Sequence, residues 1–364
     1  MSQFPPNRAS GENLSSRPEI LPPEEEIASA DSSQVVSDVD REGALALRSI
    51  SAEDPLYGAA QSTAKYIQAS KAKATRRAYA SDWKDFVAWC EENRRDSLPA
   101  QPGTVALYLS SLADTRKPAT ITRRLTSITT AHKMRGFDSP AVMRHQIVSD
   151  TLHGIRRTHG TAQTMKKPLT RERIVTVIGT LEGPIAAARD KALLLLGFAG
   201  SLRREELAAM RVEHIKRHRK GITINLPKSK NDQEGKGRQI DILYGVHDLT
   251  CPILALDNWL KIAGIEDGFV LRRVWLHGEK IGESLSKDSI GRIVKRMVRR
   301  AKLDDPKEYG GHSLRAGFVT EASANGATDR QIMKQTGHKS VAMVHRYSRE
   351  DQSDRQIAYS KLGL

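Results

Sequence analysis

Gly160 to Pro168 reads Gly-Thr-Ala-Gln-Thr-Met-Lys-Lys-Pro and has no apolar periodicity. Helix-like patterns flank it on both sides. A chain interrupted in this way folds around two cores joined by a linker. With 364 residues, each side has enough length for a core of its own. We place the linker at residues 161–168, a first domain at 56–160 and a second at 169–364.

In the first domain Trp83, Phe86, Val87 and Cys90 recur at i, i+3, i+4 and i+7, one apolar face of a helix. Pro99 and Pro102 interrupt the chain, and a second helix is expected from about Gly103 to Ala113. A third begins near Pro118, with Thr120 as a start signal. It turns Ile121, Leu125 and Ile128 inward and Arg123 and Arg124 outward. A further basic helix covers about Ala141–Arg157. The second domain is mostly helical. The apolar run Ala192–Ala199 is too short to span a bilayer and reads as a buried helix. Ile222, Ile224 and Leu226 alternate with polar residues, as do Ile240 and Ile242, around the Lys- and Gly-rich Pro227–Gln239. That is a hairpin with a long basic loop. Helices are expected at about Pro252–Ala263, Ser286–Ala301, His312–Asn325, Thr328–Thr336 and Val341–Arg349. The fold class is mainly α, in two domains, with a small antiparallel β-sheet.

Charge narrows the partners. The chain carries +15 overall. Residues 1–55 hold eleven Asp or Glu against four Arg, a net of −7, which leaves +22 for the rest. With Pro5-Pro6, Pro22-Pro23 and Glu24-Glu25-Glu26, that acidic tail reads as disordered. A folded part this basic suits a polyanion, and DNA is the commonest; a solubilising excess is the plain alternative. The two cysteines, Cys90 and Cys251, have no metal-ligand spacing and fit a reducing cytosol. The N-terminus lacks the basic-then-apolar order of a signal peptide, and no segment suits a membrane.

Four segments carry chemistry. In Gly200-Ser201-Leu202-Arg203-Arg204-Glu205-Glu206, Glu206 lies three residues after Arg203 and can orient it. Taken singly, this is an ordinary ion pair. The hairpin offers Lys228, Lys230 and Lys236, any of which can reach a cleft or simply be solvated. In Gly311-His312-Ser313-Leu314-Arg315, His312 and Arg315 share a helix face, a pairing suited to one phosphate. Gly337-His338 precedes Tyr347 by nine residues from the histidine, and Ser340 can start the helix between them. A lone tyrosine there is more often a packing residue.

The joint order of these segments is specific. "SLRREEL", "GHSLRAG" and "TGHKSVAMVHRY" resemble the signature of the tyrosine recombinase (phage integrase) family. The first domain, with "WKDFVAWCEENRRDSLPAQPGTVALYL", resembles the SAM-like core-binding domain of Cre-type recombinases. The resemblance implies a site-specific recombinase that cleaves and rejoins DNA through a 3′-phosphotyrosyl bond. Tyr347 would be the nucleophile, and Arg203 and Arg315 would clamp the phosphate oxygens. His312 would handle the tyrosine proton, and His338 would also bind the phosphate. Glu206 would support the arginines. A hairpin lysine would protonate the leaving oxygen; both "KSKND" and "EGKGR" resemble the family spelling in part, and Lys230 fits best after the first strand. Such chemistry needs no metal or cofactor. Arg76, Arg77, Arg123, Arg124, Arg156, Arg157, Lys228, Arg292, Lys295, Arg296 and Arg299 are candidate DNA contacts, each with a solvated face as its bland alternative. The implied partners are double-stranded DNA with an inverted-repeat target and three further copies of the chain, in a tetramer on DNA formed from free monomers. The implied location is the cytoplasmic nucleoid. A type IB topoisomerase shares the chemistry, and a catalytically silent DNA-binding regulator would keep the fold without needing Tyr347.

Overall fold

A computed structural model of the chain describes residues 51, 53–138, 145–162, 165–227, 237–275 and 280–348. Most of the expected acidic tail lies outside these residues, as do Lys228, Lys230 and Lys236. The chain divides into two compact units, Met1–Gln163 and Thr164–Leu364.

The described part of the first unit is helical: α1 (Tyr57–Ala69), α2 (Lys73–Glu92), α3 (Pro102–Ser111), α4 (Pro118–Met134) and α5 (Gln146–His159). Pro102 and Pro118 open their helices at the position where a missing N–H does no harm. Trp83, Phe86 and Cys90 of α2 meet Val105, Tyr108 and Leu109 of α3, Ile121, Leu125 and Ile128 of α4, and Val148, Leu152 and Ile155 of α5.

Arg124 corrects one expectation. It is buried rather than outward. With Ile121, Leu125 and Ile128 it completes the i, i+3, i+4, i+7 set that faces the core. A buried guanidinium requires a carboxylate, and Asp85 supplies it in an ion pair with Arg124. Tyr108 donates its hydroxyl to the same carboxylate at 2.6 Å. Arg124 therefore braces the bundle and is removed from the candidate DNA contacts.

The second unit contains α6 (Arg171–Ile178), α7 (Pro184–Ala199), α8 (Arg204–Ala209), β1 (Ile215–His218), β2 (Gly221–Leu226), β3 (Arg238–Leu243), α9 (Pro252–Ala263), α10 (Lys287–Arg300), α11 (Gly311–Ala324), α12 (Asp329–Thr336) and α13 (Val341–Ser348). The expected hairpin is β2–β3, with Ile222 opposite Ile242 and Leu226 opposite Arg238. β1 adds a third antiparallel strand at the edge of β2. Its Lys216, Arg217 and His218 are exposed, so it shows no alternation to read in the sequence. Leu193–Leu196 of α7 are buried on every side, as a helix packed between α9 and α11 must be.

The end of the expected linker belongs to this unit. Lys167 donates its N–H to the Glu308 carbonyl and Leu169 to that of Ser313, both at 2.9 Å. A Cβ on Gly317 would lie 2.0 Å from the Leu169 carbonyl oxygen, so only glycine admits this approach to α11. No helix among the described residues is long and apolar enough to cross a membrane.

Candidate active site

Arg203 follows the turn that ends α7 and takes the capping position of α8. Its main-chain N–H donates to one Glu206 carboxylate oxygen at 2.8 Å, and its guanidinium donates to the other at 2.8 Å. Glu206 is 4% exposed and also accepts from Arg238 at 2.9 Å. Burial alone would raise its carboxyl. The Arg238 charge and the Arg203 hydrogen bonds win, and hold it below the usual carboxylate range.

Arg238, the first residue of β3, was missed in the sequence. It stands in phase with Ile240 and Ile242 on the inward face of the strand. A charged residue at an inward position of an alternating strand was the available signal. Besides Glu206, it donates to the Gln335 carbonyl at 2.8 Å, which ties β3 to the end of α12.

Arg315 lies one turn into α11 and is 2% exposed. One guanidinium nitrogen donates to the Ser201 carbonyl at 2.8 Å. Ser201 sits in the turn after α7 at φ +46°, a left-handed conformation that a short polar side chain tolerates. The other terminal nitrogen of Arg315 has no hydrogen-bond partner among the described residues. Burial, then repulsion from Arg203, pushes its pKa down to about 9. It is still a cation at neutral pH.

Gly337 closes α12 at φ +66°. A Cβ there would lie 3.3 Å from the Arg238 guanidinium. The chain then presents His338, which is 6% exposed. The Thr336 hydroxyl donates to the Ile332 carbonyl at 2.7 Å and lies 3.0 Å from His338 Nδ1. Its proton committed, the hydroxyl accepts from Nδ1–H, which leaves Nε2 as the acceptor of the neutral ring. The His338 ring stacks on Tyr347 with centroids 5.8 Å apart and planes at 17°. Tyr347, on α13, is half-buried against Val319, Ile332 and Val344.

Burial, then repulsion from Arg315, Arg203 and Arg238, depresses the His338 pKa to about 3. Its folded pKa lies below the ordinary unfolded value of about 6.5. The unfolded chain therefore binds the proton more readily, and stability present above about pH 6.5 declines as pH falls toward the folded value. Buried His132 shifts in the same direction, again mainly through burial. His338→Gln removes one of the two contributions. The variant should lose less stability than wild type between neutral and mildly acidic pH in denaturant titrations; identical pH slopes would refute this assignment.

The fold thus gathers Arg203, Glu206, Arg315, His338 and Tyr347 and adds Arg238. His312 is exposed at the second position of α11, one turn before Arg315. Among the other basic candidates, Arg77, Arg123 and Arg157 are exposed in the first unit, and Arg76 and Arg156 are half-buried. Arg123 pairs with Asp82 at 3.1 Å. Arg292, Lys295, Arg296 and Arg299 are exposed on α10. Three guanidiniums around one carboxylate leave a cationic pocket beside a phenol, an arrangement suited to holding a phosphate against a nucleophile.

Known proteins share this plan. Residues 167–354 match the phage integrase family. The chain is 39% identical over 285 residues to the integrase/recombinase XerD homolog of Selenomonas ruminantium, covering 77% of this chain and 83% of that protein. It is 26% identical over 290 residues to the Cre recombinase of Escherichia phage P1, covering 74% and 82%. In fold it resembles the XerH site-specific recombinase bound to a palindromic difH substrate, with TM-score 0.60 and 16% identity over 92% of this chain and 97% of that one. The chain belongs to the phage integrase family, the tyrosine recombinases.

Proposed function

We propose that this chain cleaves and rejoins duplex DNA at an inverted-repeat site through a covalent bond between Tyr347 and a backbone phosphate. The observation that supports this reading is the gathering of Arg203, Arg238 and Arg315 around Glu206 and the buried His338 on which Tyr347 stacks. Free tyrosine has a pKa near 10, so attack at neutral pH requires a base and a positive field. His312 takes the phenolic proton as the Tyr347 oxygen bonds to phosphorus. The bond to the 5′ oxygen breaks, giving a 3′-phosphotyrosine and a 5′ hydroxyl. Arg203 and Arg315 hold the non-bridging oxygens and stabilise the charge that builds on them. Glu206 keeps the arginines aligned. Burial, then repulsion from the arginines, keeps His338 neutral; the phosphate's charge offsets that repulsion, so phosphate binding and protonation of His338 favour each other. The covalent bond conserves the energy of the broken linkage, and a 5′ hydroxyl from a partner duplex reseals it in the reverse reaction.

The 5′ oxygen leaves as a strong base, and a loop lysine donates its proton; we assign Lys230. Arg76, Arg77, Arg123, Arg156 and Arg157 of the first unit, with Lys228, Arg292, Lys295, Arg296 and Arg299 of the second, hold the backbone and set register. Strand exchange joins four copies on two sites.

The test is covalent trapping on nicked duplexes that carry the chain's own target, found as inverted repeats flanking its gene. Wild type should yield a protein–DNA adduct that survives SDS; none on that target would defeat the reading. Lys230→Ala should slow adduct formation by roughly 10²-fold or more, as expected for a lost general acid. Lys228→Ala and Lys236→Ala should be milder. A larger defect in either would move the role to that lysine.

A further inference from the structure

Gln335 is a polar residue in apolar phase. It lies three positions after Ile332 on α12, on the side of the helix that packs toward Val319 and Val344. An amide turned toward a core needs partners there. The half-buried Gln335 finds two with its side-chain nitrogen, the Ala199 carbonyl at 2.9 Å and the Asp241 carbonyl at 3.1 Å. Both partners are acceptors, so the nitrogen and not the oxygen of the amide must face them.

The two carbonyls belong to different elements. Ala199 is the last residue of α7, where a helix leaves its carbonyls without intrahelical partners. Asp241 lies on β3, the outer strand of the sheet. One side chain thus joins α7, β3 and α12. The main-chain carbonyl of the same residue accepts from Arg238 at 2.8 Å.

These elements are not equally held. The buried leucines of α7 pack it between α9 and α11, and β3 pairs with β2 along its whole length. α12 has eight residues, of which only Ile332 and Thr336 are buried. The amide therefore fastens the end of α12 to a framework, rather than the reverse. His338 follows directly from that end. The Thr336 hydroxyl lies 3.0 Å from its Nδ1, and the Gly337 carbonyl lies 3.5 Å from the Arg203 guanidinium. A shift at residue 335 is passed to the ring that stacks on Tyr347.

We propose that Gln335 is a positioning residue for the reaction: through Ala199 and Asp241 it holds the His338 ring in register with Arg203 and Arg315. It acts through His338 and not by contact with the phosphate. The inference rests on the assignment of His338 to the phosphate. A polar group that only stabilises the fold is the rival reading, and the two differ in what they do to rate.

The experiment measures single-turnover adduct formation and duplex binding by the full chain, on the nicked duplex that carries its target. Gln335→Met fills similar space without a donor. Gln335→Glu keeps the shape but turns acceptor oxygens toward both carbonyls. Both variants should bind the duplex as tightly as wild type, because affinity is spread over many backbone phosphates. Both should form adduct more slowly at saturating duplex, by about 10²-fold, the loss that a misplacement of about 1 Å can cause. A purely structural role would lower the amplitude, as the folded fraction falls, and leave the rate constant of the remainder unchanged; that result would overturn the proposal. In a His338→Gln background, Gln335→Met should add little, because the ring it positions is gone. Effects that multiply there would place its action elsewhere and would also overturn it. Should Gln335→Met fold poorly, the near-isosteric Gln335→Glu carries the test. Wild type that forms no adduct on its target would remove the catalytic reading instead, which keeps the two failures apart.

Discussion

Tyr347→Phe should form no SDS-resistant adduct with its nicked target, yet bind that duplex as tightly as wild type does. The substitution deletes the oxygen that bonds to phosphorus and keeps the ring. The ring does the packing: it stacks on His338 and lies against Val319, Ile332 and Val344. Loss of one half-exposed hydroxyl should leave stability within about 0.5 kcal/mol of wild type. Arg203, Arg238 and Arg315 are untouched, so the phosphate still has its donors. Gel-shift titration and covalent trapping on one duplex separate binding from chemistry. Strand cleavage retained by the variant would contradict the assignment of the nucleophile. A silent regulator would form no adduct even as wild type. A type IB topoisomerase would relax supercoiled DNA without paired sites.

Glu206→Ala should be the most destabilising single change in the site. The carboxylate is buried and faces Arg203 at 2.8 Å and Arg238 at 2.9 Å. Removing one partner of a buried ion pair leaves charge without compensation, worth about 3–5 kcal/mol. The two arginine side chains retain 13% and 15% exposure, so solvent recovers part of this, and the low end applies. For a unit of this size, about 3 kcal/mol lowers the melting temperature by ~6–12 °C. Glu206→Gln keeps a hydrogen-bonding shape and should fall between. Glu206→Ala/Arg238→Ala should recover some of the loss, because it removes one of the uncompensated like charges. A fall of less than about 2 °C in Glu206→Ala would mean that the pair contributes little to the fold.

The contrast between Arg203 and Arg238 indicates what a sequence discloses. Arg203 is legible because its carboxylate is three residues away, so helix geometry alone brings the two together. Arg238 reaches the same carboxylate across 32 residues, through strand pairing that no local spacing encodes. The helices were legible wherever an apolar stripe, a proline start or a capping hydroxyl agreed. Thr328, for instance, caps α12 through the Gln331 N–H at 3.3 Å. Arg124 was misplaced because charge was given more weight than phase: its position on α4 already matched the apolar face, and its partner Asp85 lies 39 residues earlier. The main-chain hydrogen bonds of Lys167 to Glu308 and of Leu169 to Ser313 leave no mark on side-chain pattern, so the sequence could not show them.

The proposed nucleophile, Tyr347, rides on a short helix, Val341–Ser348. Among the described residues of α13, Val344 alone is fully covered. Burying a valine is worth about 1.5–3 kcal/mol. Lifting α13 away would expose that valine and part of Tyr347, and would break the hydrogen bonds from the Thr320 hydroxyl to the Tyr347 carbonyl at 3.4 Å and between His345 and Asp329 at 3.0 Å. The tyrosine's place beside the arginines thus depends on a helix with one covered side chain, a ring stack and two hydrogen bonds, while the arginines are held by the buried Glu206 and the Ser201 carbonyl. The weapon and its socket are built to different tolerances.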